Sequence, residues 1–132
     1  MGKIAFVFPG QGAQVVGMGQ NVYENSAVAK DVFEQASKAV DLDLKALCFE
    51  ENNDINITEF TQVCLLTTSV AIMEELKTRG VKADVAAGLS LGEYCALVAA
   101  GSMNFVDAAK AVRKRGIFMQ EEVPADAPVL PF

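Results

Sequence analysis

The chain alternates short apolar runs with longer amphipathic stretches, and this rhythm predicts its elements. Lys3-Ile4-Ala5-Phe6-Val7-Phe8 is apolar and stops at Pro9-Gly10, as a buried strand entering a loop would. The loop over residues 9–19, PGQGAQVVGMG, holds Gly10, Gly12, Gly17 and Gly19, which permit positive φ or a close backbone approach. Ser26 is placed to cap a helix over about 27–40, with Val28, Val32, Phe33, Ala36 and Val40 near helical spacing and facing the core. A short helical turn follows over Leu44 to Phe49, and then a polar loop, EENNDIN. Leu66, Val70, Met73 and Lys77 recur three or four apart, predicting a helix from about Glu59 to Arg79 with Gly80 just past its end. Val81 to Ala87 reads as a second buried strand. A helix over Leu91 to Ala100 is closed by Gly101, and Asn104 starts a last helix over about Phe105 to Glu122, with Asp107 in its first turn.

Strand, helices, strand, helix, helix argues for an α/β fold with a parallel sheet. Two strands are few, because parallel sheets hide both faces under helices, so part of such a sheet is missing from this chain. Residues 1–124 form one unit, and residues 125–132, the end of VPADAPVLPF, form an extended, proline-rich tail.

Composition narrows the function classes. The 52% hydrophobic content supports a packed core, and a net charge of −6 with 11 Lys and Arg argues against a nucleic-acid binder. No window reaches the roughly 18 apolar residues a membrane span needs, and no secretory h-region opens the chain. Cys48, Cys64 and Cys95 have no metal-ligand spacing and read as buried thiols in a reducing compartment, which points to a cytoplasmic protein.

Two stretches carry candidate chemistry. Gly88-Leu89-Ser90-Leu91-Gly92 has the spacing of a nucleophile elbow, in which serine sits on a sharp strand-to-helix turn and the next N–H points at a forming oxyanion. Chance gives this pattern at about 0.0003 per position, or a few per cent over such a chain, but here it follows an apolar strand and opens an apolar helix. The alternative is a glycine-rich turn whose Ser90 merely caps the helix. The second stretch is Gln11 in the loop after the first strand, where a backbone N–H could supply a second oxyanion donor; otherwise the glycines only turn the chain. Val15 stands where a dinucleotide fingerprint needs its third glycine. The chain contains no histidine, so it holds no imidazole to activate Ser90.

Phe8-Pro9-Gly10-Gln11-Gly12-Ala13-Gln14, Thr61-Gln62, Gly88 through Tyr94, and Arg115-Gly116-Ile117-Phe118-Met119-Gln120 together resemble the malonyl-CoA:acyl carrier protein transacylases of fatty-acid synthesis and the acyltransferase domains of polyketide synthases. The resemblance covers residues 3 to about 124 and only the amino-terminal part of the family's length. It implies a partial α/β-hydrolase-like acyltransferase core that lacks the family's ferredoxin-like subdomain. By motif, Ser90 resembles the nucleophile that carries malonyl from coenzyme A to the carrier protein's phosphopantetheine thiol as a serine ester. The oxyanion hole falls on the N–H groups of Gln11 and Leu91. Arg115 matches the arginine that pairs with the malonyl carboxylate, a role suited to a planar guanidinium; without the family, Arg113-Lys114-Arg115 would read as a solvated helix face. Gln62 matches a pocket glutamine. The substrate implied is malonyl-CoA and the partner acyl carrier protein, with no metal and no bound cofactor.

The chain departs from the family pattern at Val63, where a proline is frequent, and at Leu89, where histidine is usual. The family's catalytic histidine lies downstream of the span that matches. Three readings account for this: a truncated form of a complete transacylase, inactive alone; one half of a split enzyme; or a non-catalytic module binding acyl-CoA or carrier protein. An α/β-hydrolase esterase would have the elbow but would explain neither Gln11 nor Arg115. Lys110, Arg113 and Lys114 form a candidate basic patch for an acidic carrier protein. Open strand edges predict self-association or pairing with a complementary chain.

Overall fold

The structure is a computed structural model that describes residues 2–124 and Asp126. The tail expected over 125–132 lies, Asp126 apart, outside the described residues. Two strands, β1 (Ala5–Phe8) and β2 (Val85–Gly88), pair in parallel with Ala5 opposite Val85 and Phe8 opposite Gly88. Among the described residues six α-helices flank them: α1 (Gln20–Asn25), α2 (Ala27–Val40), α3 (Leu44–Phe49), α4 (Thr58–Thr78), α5 (Leu91–Ala99) and α6 (Phe105–Glu122). A 3-10 turn over Asp54–Asn56 precedes α4.

Helix α4 is the axis of the core. Every residue from Thr61 to Thr68 is buried, so this helix has no solvent face along that stretch. Two of its interior hydroxyls are satisfied by nearby carbonyls: Thr61 Oγ1 donates to Ile55 O at 2.6 Å and Thr67 Oγ1 to Val63 O at 2.7 Å. Against it pack Phe33 and Ala36 of α2, Leu91 and Cys95 of α5, and Ala109 and Val112 of α6. The three cysteines are free and buried. A hydrogen bond from Cys48 and then burial push the Cys64 thiol well above its ordinary range.

Local signals set most boundaries. Ser26 Oγ accepts from the Ala29 N–H at 3.2 Å and starts α2; Asn104 Oδ1 accepts from Val106 and Asp107 and starts α6. Four expectations shift. The second strand begins at Val85 rather than Val81, because Gly80 (φ 81°) and Val81 close α4, donating to Lys77 O and Leu76 O. The first strand begins at Ala5, while the Ile4 N–H donates to Asp84 Oδ2 at 2.7 Å. Helix α1 was not foreseen; Gly19, at φ 80°, turns the glycine loop into it, and a Cβ there would meet Thr68 and Phe33 at 3.1–3.2 Å. Val28 is exposed, and Ala29 takes the core position one step along.

Phe6 and Phe8 point inward, whereas Val7 is 75% exposed and Val85 59% exposed on the other face. The helices therefore cover one side of this parallel pair. Both strands end at the same edge, which places the loop after β1 beside the turn after β2.

Candidate active site

At that edge the chain turns sharply from β2 into α5. Ser90 has φ 51° and ψ −110°, a strained backbone for a residue with a side chain, and it makes no capping bond to α5. The cap-only reading of Ser90 therefore fails. The glycines on either side leave the room this turn needs. A Cβ on Gly88 would lie 1.9 Å from the Gly92 carbonyl oxygen, and one on Gly92 would lie 2.3 Å from the Phe8 oxygen. The elbow is thus closed on itself and pressed onto the end of β1. Ser90 is exposed, while Leu91 beside it is fully buried.

The loop after β1 meets the same turn. A Cβ on Gly10 would sit 2.7 Å from the Leu89 oxygen and 3.6 Å from Ser90 Cβ, so Gly10 brings the loop against the serine. Gly10 and Ala13 close a turn (Ala13 N–H to Gly10 O, 3.4 Å) with Gly12 at φ 113°. The Gln11 N–H sits at the first corner of this turn, outside the closing bond. Its side chain is tied away, Nε2 donating to Thr58 Oγ1 at 2.9 Å, and Gln14 braces the loop by bonding the Gly12 N–H and Asn56. Leu91 is the first residue of α5, so its N–H has no helical carbonyl to bond. The N-terminus of α5 therefore begins beside Ser90, and the loop that carries the Gln11 N–H adjoins the same turn, the setting in which a developing oxyanion can be held.

Arg115 comes from α6. Gly116 lets α6 approach the start of α4, since a Cβ there would lie 3.0 Å from Glu59 Cα. Arg115 Nη1 donates to the Gln62 Oε1 at 2.7 Å, and Nη2 donates to Ser90 Oγ at 3.1 Å. Gln62 is 1% exposed, and its Nε2 is directed at Met119 Sδ at 3.1 Å. The guanidinium lies 5.5 Å from the centre of the Tyr94 ring. Ser90, Gln62 and Arg115, far apart in sequence, therefore form one hydrogen-bonded group, and the loop of Gln11 adjoins it.

Tyr94 and Met119 stand in the quoted motifs but were given no role from the sequence. Each stands one helical turn from a residue that was given one, Ser90 and Arg115 respectively, and that i, i+4 spacing is the signal that could have found them. The basic patch needs correction: Arg113 is engaged, donating to Glu59 O at 2.7 Å and Glu59 Oε2 at 3.1 Å with Phe60 beneath it. Lys110 and Lys114 remain exposed one turn apart. Beside the site a groove of about 420 Å³ runs between Gln11, Thr58, Phe118 and Met119. Among the described residues no helix is long and apolar enough to cross a membrane.

Residues 5–128 match the acyl transferase domain. The chain belongs to the acyl transferase family. It is 50% identical over 126 residues to the malonyl CoA-acyl carrier protein transacylase of Bacillus subtilis strain 168, a match that covers 95% of this chain and 40% of that protein. The crystal structure of the Clostridium perfringens malonyl CoA-acyl carrier protein transacylase superposes with a TM-score of 0.89 at 48% identity, over 92% of this chain and 39% of that one. A malonyl-transacylase in complex with a type II polyketide synthase acyl-carrier protein superposes at 0.87 with 41% identity, over 93% of this chain and 40% of that one. This member of the acyl transferase family therefore spans about two fifths of the relatives it matches.

Proposed function

We propose that this chain supplies the nucleophile and the carboxylate-binding arginine of a malonyl transfer from coenzyme A to the phosphopantetheine thiol of acyl carrier protein. The observation that carries it is the contact of Arg115 with both Ser90 and Gln62, which sets a fixed cation beside an elbow serine. An esterase needs the elbow but no such cation. Ser90 Oγ attacks the thioester carbonyl carbon; the carbonyl electrons move onto oxygen between the Gln11 and Leu91 N–H groups, then return as the C–S bond breaks and the coenzyme A thiolate leaves. The carrier-protein thiol reverses these steps, releasing Ser90. The proton of Ser90 needs an acceptor, and no histidine is present in these 132 residues. Loss of the base from such a unit costs on the order of 10⁶ in kcat, so the chain by itself turns over very slowly.

A guanidinium selects malonyl over acetyl by pairing with the distal carboxylate. No metal or cofactor enters the scheme. The likeness to a transacylase in complex with an acyl-carrier protein supports a carrier protein as acceptor, and three free cysteines suit the reducing cytoplasm.

The test is a chimera in which residues 1–124 replace the corresponding part of the Bacillus relative, assayed for transfer from malonyl-CoA and acetyl-CoA. Arg115→Ala should abolish the preference for malonyl while acetyl transfer persists. Undiminished malonyl preference in the Arg115→Ala chimera would remove the assignment.

A further inference from the structure

The Arg115 guanidinium is engaged at both ends. Its two ends differ: Nη1 is held by a glutamine that is 1% exposed, itself braced by Met119, whereas Nη2 is held by the hydroxyl of the exposed Ser90. The Tyr94 ring lies against the group. One end is thus anchored in the core, and the other is occupied by the nucleophile. A carboxylate arriving from solvent meets Nη2 at the place Ser90 Oγ already fills.

We propose that Ser90 is the resting partner of the Arg115 edge that receives the substrate carboxylate, so that carboxylate binding and release of the nucleophile are one event. This rests on the reading of Arg115 given above and deepens it. While Arg115 donates to Ser90, one oxygen lone pair is tied to a cation and is a poorer nucleophile. A malonyl group brings a charged acceptor that outcompetes a neutral hydroxyl for the donor, since the guanidinium–carboxylate bond joins two opposite charges whereas the bond to Ser90 is charged on one side only. The lone pair is then freed toward the thioester carbonyl. An acetyl group brings no such acceptor, so Ser90 stays engaged. Discrimination against acetyl then arises partly at the nucleophile and not only in binding. Gln62 is the positioning residue that keeps Nη1 fixed while Nη2 changes partner.

The experiment is an NMR titration of the purified chain with malonate as the carboxylate probe, on the wild type, Ser90→Ala, Ser90→Cys and Arg115→Ala, each first shown by circular dichroism to be folded. Removing the competing hydroxyl should tighten malonate binding by roughly fivefold to tenfold in Ser90→Ala. Ser90→Cys, whose sulfur is a weak acceptor, should fall between it and the wild type. Arg115→Ala should lose saturable binding. If Ser90→Ala and Ser90→Cys bind malonate no more tightly than the wild type, or no form binds it, the competition is overturned. If Arg115→Ala binds as the wild type does, the reading of Arg115 fails instead, so the two failures are distinct.

Discussion

Replacing Gly88 by alanine tests the elbow itself. The added methyl carbon would lie 1.9 Å from the Gly92 oxygen, 2.0 Å from the Gly92 carbonyl carbon and 2.4 Å from the Glu93 nitrogen. All three are backbone atoms in the first turn of α5, so no side chain can swing aside. Ordinary contact needs about 3.5 Å, so the first turn of α5 must move away from β2 by more than about 1 Å. Gly92 is itself pressed against Phe8 and Pro9, which blocks part of that motion. Overpacking against adaptable side chains costs about 1–3 kcal/mol; a rigid backbone puts Gly88→Ala at about 3 kcal/mol or more. Gly101→Ala is the reference. Gly101 has φ 74° with nothing within 4 Å of its added carbon, so it incurs only the left-handed penalty of about 1–2 kcal/mol. The assay is urea unfolding followed by far-ultraviolet circular dichroism, because the chain has no tryptophan. A Gly88→Ala cost equal to or below that of Gly101→Ala would refute the steric reasoning.

Further outcomes follow from other sites. Asn104→Ala, which strips the cap from α6, should cost about 1 kcal/mol in the same unfolding assay. Gln62→Leu removes the core anchor of Arg115 and should lower the malonyl preference of the chimera without abolishing acetyl transfer, measured as the ratio of the two rates. Burial pushes the Cys95 thiol up to about 11. Its contribution is therefore whole below the ordinary thiol value of about 8.5 and is lost as pH rises through 11, with a slope of up to about 1.4 kcal/mol per pH unit. Unfolding between about pH 8 and about pH 11 should show a loss of stability to which Cys64 also contributes, and Cys95→Ala should make it shallower. Lys110→Glu with Lys114→Glu in the chimera should raise the KM for carrier protein and leave that for malonyl-CoA alone; an unchanged carrier KM would show that this face is not used.

Except for α1, the helices were legible because their ends are written locally. Ser26, Asn104 and Gly80 each mark a boundary by a side-chain acceptor or a positive φ, and the periodic apolar residues between them do the rest. The start of β2 was not legible, since Val81 is as apolar as a strand residue and only the closing hydrogen bond to Leu76 shows that it belongs to the end of α4. At the site, the spacing of Gly88, Ser90 and Gly92 announced the elbow. The meeting of Arg115 with Ser90 could not be read from spacing, because 25 positions and the whole of α5 separate them; resemblance to the family supplied it. The engagement of Arg113 by Glu59 was hidden for the same reason, its partner lying 54 residues away.

The central claim is that Ser90 is the residue acylated. Intact-protein mass spectrometry of the chimera after brief exposure to malonyl-CoA, with peptide mapping and a Ser90→Ala form alongside, tests it most directly. The account predicts a single malonyl adduct that maps to Ser90 and is absent from Ser90→Ala. An adduct on another residue, or one that survives Ser90→Ala, would contradict it.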